Sequence, residues 1–137
     1  MILPHAPHTV FLVESATDDE ALTRRALSRT GIPMRIEVER AGDAAILRYL
    51  GQFADAPPSL VIVSDGLLRV RADEVVAAVR KVHARGTAAI LHLLSSEGHV
   101  AAEGADHAVI KPVAYEEYLS VVGEAARHLL LRRHASG

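Results

Sequence analysis

Leu60-Val61-Ile62-Val63 is a run of four apolar residues, three of them β-branched, with no polar alternation. That is the pattern of a parallel strand buried on both faces. Pro57-Pro58 precedes it and Ser64-Asp65-Gly66 follows it, so the run is too short and too sharply bounded for a helix. A strand covered on both sides needs flanking strands and two layers of helices, and the chain supplies them. Thr9 to Val13, Ala88 to Leu94 and Ala108 to Ile110 are further apolar runs, while Met34 to Val38 alternates as an edge strand does. Helical periodicity fills the gaps. A first helix is expected over Asp18 to Thr30, opened by a capping-box pattern at Thr17-Asp18-Asp19-Glu20 and ended by Gly31 and Pro33. Its core stripe is Ala21, Leu22, Ala26 and Leu27. A second runs from Ala44 to Phe53 with Ile46, Leu47 and Leu50 inward, and a third from Ala72 to Arg85 with Val75, Val76, Val79 and Val82 inward. Ser95 to Glu103 has room for a short helix of two turns, interrupted by Gly98. The last helix, Tyr115 to about His134, carries Tyr118, Leu119, Val122, Ala126, Leu129 and Leu130 on one face. Strands alternating with helices imply an α/β fold, a doubly wound five-stranded parallel sheet with right-handed crossovers. Its functional crevice lies beyond the carboxyl ends of the strands, where Glu14-Ser15, Ser64-Asp65, Ser95-Ser96 and Lys111 fall.

The 137 residues suit one domain with one core, here residues 9–134 between a flexible terminus, residues 1–8, and a tail, residues 135–137. Half the residues are hydrophobic and 23% are charged, which excludes a disordered chain. A net charge of -2 and only five aromatic residues argue against nucleic-acid and membrane partners. No cysteine is present, no apolar run approaches a membrane span, and Met1 to His8 lacks the pattern of a signal peptide. A cytoplasmic protein is expected.

Lys111 closes the last strand. Thirteen arginines serve as the chain's usual cation against two lysines, so a lysine at a strand tip suggests a need for a compact point charge. Its ammonium requires an anionic partner, and Glu14 is the expected one. Eight histidines are scattered without a second ligand at turn or helical spacing, so no metal site is expected; His107, beside the crevice strand, is the one to watch. Ser64 with His92 or His107 lacks a nucleophile elbow, and no glycine-rich phosphate loop follows the first strand. Neither an enzyme nor a cofactor is expected.

Several stretches together resemble the receiver domain of bacterial two-component response regulators, across about Thr9 to Leu130. Val13-Glu14-Ser15-Ala16-Thr17-Asp18-Asp19 is similar to that family's opening acidic motif, and Ala21 to Gly31 resembles the first helix of stand-alone receivers paired with phytochrome-type kinases. Pro58-Ser59-Leu60-Val61-Ile62-Val63-Ser64 resembles the stretch ending in the phospho-accepting aspartate, and Gly104-Ala105-Asp106 to Lys111-Pro112 the closing signature. The resemblance implies a flavodoxin-like fold with strand order 2-1-3-4-5 and a cis Lys111–Pro112 bond. It also implies a phosphorylation pocket at Glu14, Ser15, Ser64, Asp65, Ser95 and Lys111. In active receivers two acidic residues and the acceptor aspartate hold Mg²⁺ for in-line phosphoryl transfer. Here Ser15 replaces the second acid and Ser64 the acceptor. Ser64 aligns in phase with the helix beginning Asp73-Glu74-Val75-Val76, and Asp65 falls one residue along. The switch aromatic falls on Ala108, and the fourth helix is short. The expectation is a degenerate pseudo-receiver that binds Mg²⁺ weakly or not at all and works by phosphorylation-independent contact with a histidine kinase or another receiver. The alternatives are phosphorylation at Asp65 and a small-ligand sensor. Val121, Ala125 and Leu131, flanked by Arg127, Arg132 and Arg133, extend the apolar face of the last helix toward a possible homodimer.

Overall fold

The structure, a computed structural model, describes residues 8–96 and 99–136, with side chains as far as residue 132. Five strands, β1 (His8–Val13), β2 (Met34–Glu39), β3 (Leu60–Ser64), β4 (Ala89–Leu94) and β5 (His107–Ile110), form one parallel sheet in the order β2-β1-β3-β4-β5. Four helices accompany them: α1 (Thr17–Ser28), α2 (Gly42–Gln52), α3 (Ala72–Val82) and α4 (Tyr115–Ser136). The register sets Val63 beside Val13 and His92, and Ser64 beside Leu93, so the strand ends line up along one edge. Alternate residues of β3 then face opposite layers. Leu60 and Ile62 pack with α1 and α4, whereas Val61 and Val63 pack with α2 and α3. This is why the run shows no polar alternation.

Several sequence expectations change. The acidic first turn of α1 is present, yet the helix starts at Thr17 with Ala16 as its N-cap and no side-chain cap. The Glu20 amide bonds the Ala16 carbonyl, and the Glu20 carboxylate reaches outward to Arg24 and Arg40. Ala21 is exposed, and Thr23 takes its place inside by sharing a hydrogen bond of 2.8 Å with Tyr118. On α2 the inward stripe is Ala45, Tyr49 and Phe53, while Leu47 and Leu50 are 72% and 47% exposed. The heptad pattern allows either stripe; Tyr49 and Phe53 win because they stack with Phe11, at centroid distances of 6.3 and 5.2 Å, and bury more area. His8 opens β1, with its ring 2.9 Å from the Ser59 hydroxyl, and is not part of a loose terminus. Residues 1–7 and Gly137 lie outside the described residues.

The short helix expected over Ser95 to Glu103 is absent among the described residues between β4 and β5. Bends and turns occupy that interval, and side chains hold it in place of helical hydrogen bonds. Arg80 is the main anchor. Its guanidinium donates to the carbonyls of Gly104 (2.8 Å), Ala88 (2.7 Å) and His83 (3.3 Å) and to Asp106 (2.8 Å). Asp106 also accepts the Ile90 amide at 2.7 Å. Gly104 has φ +101°, and a Cβ there would lie 3.1 Å from Arg80 Cγ, so this turn against the arginine favours glycine. The Gly104-Ala105-Asp106 motif therefore has a structural purpose in docking the chain to α3 before β5. The Lys111–Pro112 bond is trans, against expectation, since no cis peptide occurs among the described residues; trans is the lower-energy form for an X–Pro bond.

Candidate functional site

β1 ends by delivering Glu14 into the sheet edge at 1% exposure. A carboxylate so buried requires compensation. Glu14 Oε1 accepts a hydrogen bond from Ser64 Oγ at 2.6 Å and another from Lys111 Nζ at 2.8 Å, and Oε2 accepts the Ala16 amide at 3.2 Å. Lys111 Nζ also donates to Asp19 Oδ2 at 2.7 Å. Lys111 is thereby held between two carboxylates, one at the end of β1 and one in the first turn of α1. Burial alone would lower the affinity of its ammonium for the proton, but the bonds to Asp19 and Glu14 outweigh burial and raise its pKa. Ser64 is fully buried and spends its hydroxyl on Glu14.

Asp65 belongs to a different cluster. Its amide continues the pairing to the Leu93 carbonyl, and its carboxylate turns toward β4. Oδ1 lies 2.7 Å from His92 Nε2; Oδ2 lies 2.7 Å from His99 Nδ1 and 3.1 Å from the Ser95 amide. Burial pushes the Asp65 carboxyl up, yet the hydrogen bonds from His99, His92 and Ser95 together hold it below its ordinary value. It is therefore an acceptor, and each histidine must present a proton to it. His92 Nδ1 in turn accepts the Ala102 amide at 3.0 Å. His92 is thus the Nε2-protonated tautomer, buried with both ring nitrogens in use, whereas His99 carries its proton on Nδ1. Ser95 Oγ also meets His99 at Nδ1, 3.0 Å away. Serine and aspartate on one ring nitrogen cannot form a nucleophile relay, which needs both nitrogens.

The six residues expected to share one pocket consequently divide. Glu14, Ser64 and Lys111 come together; Asp65 and Ser95 join the histidine cluster. Ser15 sits between them and donates to the Gly66 carbonyl at 3.0 Å. Ala108, where a switch aromatic was expected to be replaced, pairs with His92 in the sheet and offers no ring. Three participants carry no site motif in the sequence pattern: Asp19 reads as a helix-start residue, His92 as a strand histidine and His99 as one of the scattered ones. A histidine inside an apolar strand was the available signal, because a buried imidazole needs partners. Among the described residues no group of three or more His, Cys, Asp or Glu side chains is arranged to hold a metal ion. His107 is exposed, in a groove between β5 and α4.

A cleft of about 630 Å³ opens beside Asp65, bounded by Leu67, Arg71, Asp73, His99, Val100 and Glu103 among others. No helix among the described residues is long and apolar enough to cross a membrane.

No protein-family model and no curated protein matches the chain. Solved structures do. The phosphorylated cyanobacterial phytochrome response regulator RcpA aligns at a TM-score of 0.75 and 22% identity over 91% of this chain and 95% of that one. The Mn²⁺-bound response regulator Rcp1 aligns at 0.75 and 20% identity, over 90% and 95%. The bacteriophytochrome response regulator RtBRR aligns at 0.66 and 25% identity, over 91% and 78%. The structural neighbours are response-regulator receiver domains, phytochrome-associated ones among them, and the chain has their flavodoxin-like fold.

Proposed function

We propose that this chain is a pseudo-receiver of two-component signalling, acting through phosphorylation-independent contact with other proteins and carrying out no catalysis of its own. The observation that carries this reading is the closed charge network at the strand ends: Lys111 between Glu14 and Asp19, with Ser64 on the same Glu14 oxygen. A lysine so engaged is committed to internal carboxylates, and a fully buried serine whose neighbouring carboxylate is already paired with that lysine is a poor phosphoryl acceptor. Mg²⁺ binding is expected to be weak or absent, since Glu14 is already neutralised by Lys111. No other cofactor is invoked.

A histidine kinase or another receiver is the natural class of partner, in the cytoplasm and without nucleic acid. Homodimerisation through α4 fits its charge order. Glu116, Glu117 and Glu124 precede Arg127 and Arg132 along the helix, so two copies in antiparallel contact set acid against base. Leu131 is 43% exposed at that surface, while Ala125 is buried in the core and does not extend it.

The deciding experiment is a two-dimensional amide NMR spectrum with and without Mg²⁺ and beryllium fluoride. Unchanged resonances at Glu14, Ser64, Asp65, Ser95 and Lys111 are expected; clustered shifts there would overturn the reading. Phosphorylation at Asp65 is the alternative. It is a partly buried carboxylate, but it spends its oxygens on His92, His99 and Ser95 and has no bond to Lys111. A Mg²⁺-dependent mass gain with acetyl phosphate, lost in Asp65→Asn, would establish it. Saturable thermal stabilisation by a small molecule, abolished by substitutions in the cleft beside Asp65, would instead mark a ligand sensor.

A further inference from the structure

We propose that His92 is a proton-controlled latch on the segment after β4: protonation of its ring releases the Ala102 amide and loosens residues 99–103 from the sheet. The proposal rests on the partner-contact reading for its purpose, since this segment stands where the fourth helix was expected, and its surface would change on release.

Geometry fixes the tautomer of His92. A backbone N–H can only donate, so the 3.0 Å contact from the Ala102 amide makes His92 Nδ1 an acceptor with no proton of its own. Nε2 must then carry the proton it gives to Asp65 at 2.7 Å. A second proton has one place to go, and there it would meet another N–H. The ring is 2% exposed, so water does not replace the lost acceptor without movement. Movement is available on one side only. On the strand side His92 is fixed between Val63 of β3 and Ala108 of β5, both uncharged. On the other side lies the segment carrying Ala102, joined to β4 by a connection without regular structure among its described residues.

The charged groups around the ring favour the added proton once the amide has left. Asp65 bonds it directly, and Arg71, Asp73, His99 and Glu103 line the same cleft. Arg71 is occupied by Asp73, at 3.0 Å, and by Glu74. Asp65 and Glu103 thus face the cleft without an Arg or Lys ion pair among the described residues, and a charged imidazole would be held by Asp65. A released state that binds the proton more tightly than the latched one is populated by acidification. His99 does not oppose this, because protonation at its free nitrogen preserves its bond to Asp65. Release would uncover Ala102 and the ring itself, both buried now, in the cleft that Val100, 87% exposed, also lines.

The test is NMR on the whole chain, following ring nitrogens and backbone amides from about pH 8 to about pH 5, the range in which histidine titrates. Opposite tautomers are expected at the upper end: His92 protonated on Nε2, His99 on Nδ1. On acidification His92 should become doubly protonated in step with the Ala102 amide, whose exchange protection relative to Leu93 falls about tenfold for the loss of one buried hydrogen bond. His92→Gln, which offers an amide oxygen that does not titrate, should hold the Ala102 amide constant over the same range. The proposal is overturned if His92 carries its proton on Nδ1 at neutral pH, if it titrates while Ala102 stays protected, or if Ala102 still responds in His92→Gln. Should that variant fail to fold, the two wild-type readings decide. No Mg²⁺ or beryllium fluoride is present, so failure here leaves the reading of the Lys111 pocket untouched.

Discussion

The Lys111 pocket and the Asp65 cluster sit on neighbouring strand ends and solve the same problem in different ways. Both bury a carboxylate. Glu14 is compensated by a formal cation and a hydroxyl, Asp65 by two imidazoles and a peptide amide. The first arrangement is the more closed, since Lys111 is 12% exposed and Glu14 1%, with only Asp19, at 33%, on its rim. The second is open on one side, where the His99 side chain is 53% exposed. A charge matched by a charge has one good geometry. A charge matched by dipoles depends on which nitrogen holds a proton. The difference predicts a rigid Lys111 pocket and a more responsive cluster beside it.

The sharpest way to break the comparison is Lys111→Met. It strands Glu14 at 1% exposure and is expected to cost about 3–5 kcal/mol, read as a lowered urea midpoint. An unchanged midpoint would mean the pocket contributes nothing to rigidity. Asp65→Ala should cost less, about 2 kcal/mol, by leaving the buried His92 N–H without its acceptor. Ser64→Ala removes one hydroxyl from a carboxylate that keeps Lys111, for a loss of about 1 kcal/mol in the same assay. His99→Ala, at the open edge, should shift stability by no more than about 0.5 kcal/mol. If His99→Ala proves as costly as Asp65→Ala, the second cluster is as closed as the first. Acid separates the two as well. Because the Asp65 carboxyl is held below its ordinary value in the folded state, its contribution is complete above the unfolded value, about 3.9, and fades as pH falls through the folded one. Asp65→Asn should flatten that part of an acid-denaturation curve.

Much of the fold is legible in the chain because buried parallel strands leave a strong trace. Leu60 to Val63 and Ala89 to Leu94 show it best. Lys111 and Glu14 were also legible as partners, since a cation at a strand tip needs an anion and few were within reach. Asp19 was not, because an acid in a helix's first turn already has a sufficient explanation in the helix dipole. Leu47 and Leu50 misled for a similar reason: periodicity identifies a face only up to a rotation, and aromatic packing around Phe11 selects the other one. The histidine tautomers lie beyond sequence altogether. They follow from the Ala102 amide meeting His92 across a loop whose path no local pattern dictates.

Arg80 gives this loop a boundary. By gripping Gly104, Asp106 and the chain before β4 at once, it works as a bookbinder's stitch: pages ahead of it can turn, and the spine cannot. Any rearrangement beginning near His99 must stop at Gly104, and β5, with Lys111 at its tip, stays in register. A change in the outer surface of this molecule can therefore be confined to a handful of residues, with the rest of the sheet held in place.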